Sequence, residues 1–450
     1  MFTAHRSAAA RVVAVAGFLT AILVSGGCEN GTERPPNVLL VVVDTLRKDH
    51  LGCYGYSRDT SPNIDRLAEV AVRYDSAIAQ APWTTASLGS LLTSQYPSAI
   101  GIKDDRSILD DDWVLLSEVL RDNGYTTGAV VSHTYCSSRW NFSQGFDYFE
   151  EGEIYNQKSS PGVTRDALLF LKRHQDGPFF LFLHYFDPHD AYLVHPGFDF
   201  STGRPYDGPV RGRLNAGTLR ALPPDLRAED VAEIVRRYDS EIAFTDKYIG
   251  RVLQLLRQLE LFDDALIIVT ADHGEEFKDH GGLRHGHTLY QEQINVPLIV
   301  KYPGHGGGVV RDTVALLDIY PTVLEVVGLS VDHEIEGVPL PRLGSSVHGG
   351  SRTVFSETSR RGGSELRAAV SGPIKIIRNL DQDALETYDL STDPRERHDL
   401  SARQVVEIED LLRAQESWLR EMAARDRSGS EIELTPEEIE HLRSLGYVTD

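Results

Sequence analysis

Apolar residues along this chain follow two patterns that take turns. Short unbroken runs, rich in β-branched residues, occur at 38–43 (VLLVVV), 127–131, 179–184, 265–270 (ALIIVT) and 296–300. Runs of that length ending at a polar residue or glycine fit strands buried on both faces of a parallel sheet. Between them, apolar residues recur at helical spacing. Ile64, Leu67, Ala68 and Ala71 follow Ser61 and Pro62, an N-cap and first-turn proline that open a helix within 60–75. Leu88, Leu91 and Leu92 give one face of a short helix, 112–123 reads as a helix closed by Gly124, and 164–174 as another. A long helix over 228–259, weakly interrupted at Asp239 or Gly250, leads into the 265–270 strand, and 316–329 is a helix with Pro321 near its start and Gly328 at its stop. Segment 203–227, rich in Gly, Pro, Arg and Leu, reads as a surface loop. After about residue 330 short alternating segments (352–357, 366–371, 374–378) indicate an antiparallel sheet, then a charged amphipathic helix after Arg403 and a polar spacer. The pattern predicts an α/β fold, a large mostly parallel sheet sandwiched by helices, with a small C-terminal α+β subdomain. The expected division is a targeting segment at 1–28, a linker at 29–36, a catalytic domain at 37–335, the subdomain at 336–425 and a tail at 426–450.

The 450 residues are ample for such a core, and 41% hydrophobic content is ordinary for a globular protein. A net charge of −22 argues against nucleic-acid partners, because no basic surplus exists to displace counterions from phosphates. At the N-terminus Arg6 and Arg11 precede an apolar stretch, 12–24, too short to span a bilayer, followed by Ser25, Gly26, Gly27 and Cys28. This is an export signal resembling a bacterial lipoprotein cleavage site, so the chain is expected in the periplasm or at the cell surface. Its contact with a membrane would run through a lipid on Cys28. Cys53 and Cys136 remain, and nothing local says whether they pair.

Chemistry gathers at the strand ends. The 265–270 run stops at Asp272 and His273, and the 38–43 run stops at Asp44. Ligands of open α/β sheets bind outside the carboxyl ends of the strands, and Asp with His suits a divalent metal. Asp272 also fits a plainer role as the N-cap of a following helix. Thr84 and Thr85 fall at the start of the Leu88 helix, an end that attracts anions. A Thr hydroxyl becomes a nucleophile when a metal stabilises its alkoxide, whereas the plain reading makes Thr84 an N-cap. A third strand delivers His184, Asp187 and His189. His189 is favoured for function because it lies past the strand end, with His184 also fitting a core histidine bonded to backbone. A polar loop holds His280, His285 and His287.

These residues, with the segments VVVDTLR, TSPNID, WTTASLGSLLTSQYP, LFLHYFDPH, VTADHGEEF, HGHTLYQEQINVPLIV and ETYDLSTDPRERHDLS, resemble the sulfatase family of the alkaline phosphatase superfamily over nearly the whole chain beyond the signal. The resemblance implies that Asp44, Asp272, His273 and the oxygen of Thr84 hold one divalent metal. It also implies that His189 and His287, and less strongly His285, contact the bound anion and leaving group. Zn, Mn and Ca all suit such an O,O,O,N set. A second ion would need Asp187, His189 and His287 together.

The chain departs from the family at the nucleophile. Sulfatases carry Cys or Ser in a CxPxR signature and convert it to formylglycine. Here the matching stretch is Thr84, Thr85, Ala86, Ser87, Leu88, with neither Pro nor Arg, and Thr45 replaces a second aspartate. Threonine nucleophiles occur in the phospho-transferring relatives. The expectation is a hydrolase of phosphate mono- or diesters or of sulfate esters, acting through Thr84 on a small-molecule, glycan or lipid-derived anionic ester. The rival from another class is a degenerate lipoprotein that binds an anionic glycan without turnover, motivated by the missing Arg and Pro.

Overall fold

The computed structural model describes residues 34–152, 158–189, 191–201, 203, 205–344, 352–360, 363–403, 406–425 and 429–444. The export signal and Cys28 lie outside the described residues. Residues from Pro35 onward cluster as one unit, and no helix among the described residues is long and apolar enough to cross a membrane.

In chain order the strands are β1 (Val38–Val43), β2 (Val72–Ile78), β3 (Thr126–Val130), β4 (Tyr148–Glu150), β5 (Phe179–Tyr185), β6 (Leu266–Thr270), β7 (Glu276–Phe277), β8 (Leu283–Arg284), β9 (Asn295–Lys301) and β10 (Gly308–Ala315). Eight of them form the central sheet in the order β10-β2-β9-β6-β1-β5-β3-β4. Every pairing is parallel except those of β9, which runs against both β6 and β2. Strands β1, β5 and β6 are buried throughout, as runs without polar alternation require. β1 sits between β5 and β6, with Val42 level with both His184 and Thr270. That register brings the ends of three strands together and sets where chemistry can occur.

Helices Pro62–Ala68, Ser160–His174 and Ala228–Gln258 flank the sheet. The last is continuous through Asp239 and Gly250, so the expected interruption is absent. The helix predicted within 60–75 ends at Ala68, and its second half is instead β2. In β2 Val72 and Tyr74 are buried while Arg73 and Asp75 are partly exposed, an alternation that the helical spacing of Ala68 and Ala71 obscured. The 203–227 loop carries a short helix, Ala216–Arg220, and buries Val210, Leu214 and Leu219.

The C-terminal strands β11 (Thr353–Thr358), β12 (Leu366–Ser371), β13 (Ile374–Asn379) and β14 (Ala384–Asp389) form an antiparallel sheet in sequence order, covered by helix Val406–Arg425. Trp418 of that helix stacks on Phe355 at 4.7 Å and meets Tyr96 edge-on at 5.2 Å, so the small sheet shares a core with the large one. The spacer expected after this helix contains a further helix, Pro436–Ser444, preceded by Ile432 bonded to Arg106. Cys53 and Cys136 are both free thiols.

Gly128 in β3 is required by close approach. A Cβ there would lie 2.4 Å from the Phe170 ring. That ring is wedged between His174 and Phe179, with centroids at 4.6 and 6.0 Å. Gly128→Ala is therefore expected to cost about 1–3 kcal/mol by overpacking. A thermal melt would read it as a drop of several degrees with turnover per folded molecule unchanged.

Candidate active site

Asp44 leaves the end of β1 with its amide donating to Tyr185 O at 2.8 Å, which fixes the carboxylate at the sheet's carboxyl edge. The next residue, Thr45, is held at φ 56°, a left-handed conformation that is costly for a β-branched side chain. It is stabilised by Thr45 Oγ1 donating to Asp44 O at 2.7 Å, and its amide is aimed at Asp272 Oδ1, 3.3 Å away. Asp272 Oδ1 also accepts from the His273 amide at 2.9 Å. The plainer role for Asp272 does not apply, because the short strand β7 and not a helix follows it. Gly274 is needed because a Cβ would fall 2.0 Å from Glu292 O.

Helix Thr84–Thr93 is buried along its whole length. Its N-cap is Trp83, with Thr84 the first helical residue, so the Thr84 hydroxyl is turned away from capping. It lies 3.4 Å from Asp44 Oδ2 and 3.4 Å from His273 Nε2. Ser87 Oγ donates to Asp272 O at 2.6 Å and pins this helix to the end of β6. His273 Nε2 is 3.6 Å from Asp44 Oδ1 and 3.5 Å from Asp272 Oδ2. The structure thus brings Asp44, Thr84, Asp272 and His273 together from three distant parts of the chain.

This donor set fits a divalent cation. One ligand atom each from Asp44, Asp272 and His273 lies within 4.8 Å of the others. Asp272 Oδ2 is buried with no hydrogen-bond partner, an expensive arrangement for a carboxylate unless a cation compensates it. His273 Nδ1 donates to Gly274 O at 2.9 Å, which leaves Nε2 as the lone-pair nitrogen facing the carboxylates. Burial holds His273 below its usual protonation range, favouring the neutral ring that a metal needs.

His184 also belongs to this group. Its Nε2 is 3.6 Å from Asp44 Oδ2, and burial lowers its pKa to about 4. Sequence reasoning ranked it below His189 as a core residue; the signal it missed is register, since β5 is the neighbour of β1. His189 is buried and stacked on Phe186 at 4.4 Å, with its ring 4.9 Å from His285.

The two loop histidines turn to different carboxylates. His285 lies against His273, ring centroids 4.4 Å apart, and its Nδ1 pairs with buried Glu275 Oε1 at 3.1 Å. Glu275 Oε2 in turn accepts from Tyr192 OH at 2.8 Å. Burial, with His273 and His189 nearby, pushes His285 well below its usual range. His287 turns to Glu276 Oε2 at 3.0 Å and is partly exposed. Burial opposes its protonation, but the hydrogen bond and charge of Glu276 raise its pKa. Among the described residues Asp187, His189 and His287 do not form a metal-type group: Asp187 accepts from the Ser160 amide at 2.6 Å and is grouped with His195 and Glu241.

Comparison with known proteins agrees with this architecture. A family model described as "Sulfatase" matches residues 36–329, and one described as "N-sulphoglucosamine sulphohydrolase, C-terminal" matches 280–422. An ulvan-active sulfatase of Formosa agariphila is 26% identical over 340 residues, covering 68% of this chain and 65% of the relative. The chain thus spans a little under two thirds of that protein's length. A protein solved in complex with its substrate D-glucosamine-2-N,6-O-disulfate superposes with a TM-score of 0.74 at 20% identity, over 88% of this chain and 100% of that one. The phosphonate monoester hydrolase of Agrobacterium radiobacter superposes with a TM-score of 0.70 at 21% identity, over 89% and 98%. With the family model spanning most of the large sheet and the strand-end residues in place, the chain belongs to the sulfatase family of ester hydrolases.

Proposed function

We propose that this protein is an exported, metal-dependent hydrolase of phosphate or sulfate esters in which Thr84 Oγ1 is the nucleophile. The observation that carries this reading is the position of that hydroxyl, 3.4 Å from both Asp44 Oδ2 and His273 Nε2 and buried at a helix start. Asp44, Asp272, His273 and Thr84 would hold the metal, which when bound acidifies the threonine hydroxyl and draws charge from the ester's oxygens. Thr84 Oγ1 attacks the central atom in line and the bond to the leaving oxygen breaks. A histidine, His189 or His287, gives the leaving oxygen its proton, and although burial opposes it, it is His287 whose pKa the Glu276 carboxylate raises. Water then cleaves the Thr84 ester and restores the enzyme.

Threonine favours phosphorus over sulfur, because it cannot be oxidised to formylglycine. The names of the neighbours include both chemistries, a disulfated glucosamine and a phosphonate monoester, so a sulfate ester attacked by the same Thr84 is the second reading. The substrate class is an anionic ester, glycan- or lipid-derived or a small molecule. Export, and a lipid on Cys28, rest on Arg6, Arg11, the apolar stretch and the small residues before Cys28. The degenerate binding protein is disfavoured by an unbroken ligand set.

Parallel assays with nitrophenyl phosphate, bis-nitrophenyl phosphate and nitrophenyl sulfate separate these readings. A phosphate ester is expected to be turned over fastest. Fastest turnover of the sulfate transfers the assignment to sulfur, and no turnover of any of them by metal-loaded protein favours the binding protein.

A further inference from the structure

Four consecutive residues of helix Ala228–Gln258 are polar and buried: Tyr238, Asp239, Ser240 and Glu241 are each 2% exposed or less. At about 3.6 residues per turn they cannot share one face, so their partners must come from more than one side of the helix. Those partners are the two loops that carry the site. Asp239 takes the segment after β1, its Oδ1 pairing with His50 Nδ1 at 2.7 Å and its Oδ2 accepting from Tyr56 OH at 2.7 Å. Ser240 and Glu241 take the loop after β5: Ser240 Oγ accepts from the His195 amide at 2.8 Å, and Glu241 Oε1 from the Leu193 amide at 2.7 Å. Tyr238 bonds the residue next to a metal ligand. Its hydroxyl donates to Thr45 O at 2.7 Å and accepts from the Arg47 amide at 2.8 Å, so it spans the turn that leaves Asp44. That turn holds Thr45 at φ 56°, and the Thr45 amide is the group that lies 3.3 Å from Asp272 Oδ1.

We propose that Tyr238 is a positioning residue of the metal centre, its hydroxyl locking the Thr45 turn so that the Thr45 amide occupies Asp272 Oδ1 and Asp272 presents Oδ2 to the cation. The inference rests on the metal-dependent reading proposed above. A β-branched residue abandons left-handed backbone when nothing restrains it. Thr45 Oγ1 reaches only as far back as Asp44 O, whereas the Tyr238 hydroxyl fixes the turn at the Thr45 carbonyl and at the Arg47 amide together. Among the described residues Asp272 Oδ2 has no hydrogen-bond partner, so the amides and the cation divide the carboxylate between them. The Tyr238 ring is seated 4.8 Å from the Phe277 ring and 5.1 Å from that of His50, so Tyr238→Phe keeps the packing and removes the hydroxyl alone.

The rival is a hydroxyl that only fastens the helix to the loop, in which case Tyr238→Phe lowers stability and leaves metal binding alone. Full-length wild type, Tyr238→Phe and Glu241→Gln are stripped of metal and titrated, against a competing chelator, with whichever of Zn, Mn and Ca wild type binds tightest. Thermal melts without metal are recorded beside them. Glu241 is the control, because it is as buried on the same helix but holds the other loop. Tyr238→Phe is expected to weaken metal binding about 10- to 100-fold, the usual effect of removing a group that orients a ligand, and Glu241→Gln to leave it within twofold of wild type. Affinity within twofold of wild type in Tyr238→Phe, whatever its melting temperature, overturns the proposal. So does an equal loss in Glu241→Gln, which would mean a general loosening of the helix. Should Tyr238→Phe fail to fold, the same titration is run on Thr45→Gly, a change that removes the steric cost of a positive φ, with and without Tyr238→Phe. Weaker binding in the double variant supports the clamp, and equal binding removes it. The titration needs no substrate, so a wild type that binds metal and hydrolyses no ester ends the proposed reaction while Tyr238 is still decided by affinity. A wild type that binds none of the three ions ends the metal reading and the role of Tyr238 with it.

Discussion

Thr84→Ala is expected to lower kcat by about 10⁴-fold or more while leaving the melting temperature within a few degrees of wild type. Removing a covalent nucleophile costs far more than removing a group that only positions substrate. The structural cost is small because the Thr84 hydroxyl makes long contacts, 3.4 Å to each partner, and does not cap its helix. Alanine is also a better helix residue than threonine at the position that follows the Trp83 cap. Thr84→Ser separates chemistry from packing. Serine keeps the attacking oxygen but loses the methyl group that restricts χ1, so its rate should fall by no more than the roughly 100-fold that misplacement of a reacting atom costs. The decisive measurement is single-turnover trapping of phosphate on the protein. Wild type and Thr84→Ser carry it and Thr84→Ala does not. Normal steady-state turnover by Thr84→Ala would remove the nucleophile from this site.

The large sheet and the ends of β1 and β6 were legible in the sequence because unbroken β-branched runs have few other homes, and a polar pair that stops such a run marks its carboxyl end. Three-dimensional register was not legible. His184 sits inside an apolar run and reads as core, and its approach to Asp44 follows from β5 pairing beside β1. The different surroundings of His285 and His287 were hidden for a related reason. The loop has no period to say which of two histidines two residues apart turns inward, and adjacent Glu275 and Glu276 each capture one of them. The helix Pro436–Ser444 did carry a signal in Thr435, Pro436 and Glu438. The Thr435 amide donates to Glu438 Oε2 and the Glu438 amide lies 3.3 Å from Thr435 Oγ1, a reciprocal cap. Strand β2 was masked because Ala68 and Ala71 extend a helical spacing into a segment whose partners, β9 and β10, come more than 200 residues later.

Chelation should destabilise the protein, and Asp272→Asn should reverse part of that loss. Asp44 and Asp272 are both fully buried, and their carboxylates share a pocket whose histidine is held neutral by burial. Like charges in low dielectric repel strongly, so the protein without metal carries an electrostatic cost that a divalent cation cancels. By mass action a metal present at 100 times its Kd contributes about 2.7 kcal/mol. Stripping it with a chelator should lower the melting temperature by several degrees and abolish turnover, and adding back Zn, Mn or Ca should restore both to different degrees. Asp272→Asn removes one negative charge, while the amide oxygen can still accept from the Thr45 and His273 backbone amides that Asp272 Oδ1 now serves. The variant without metal should therefore melt at or above the temperature of chelated wild type, yet gain little when metal is added and lose nearly all activity. Elemental analysis should find about one ion per wild-type chain and substantially less in the variant. A wild-type melt indifferent to chelator, in protein that binds none of the three ions, would mean that the buried carboxylates are compensated in another way and that Thr84 has no activating partner.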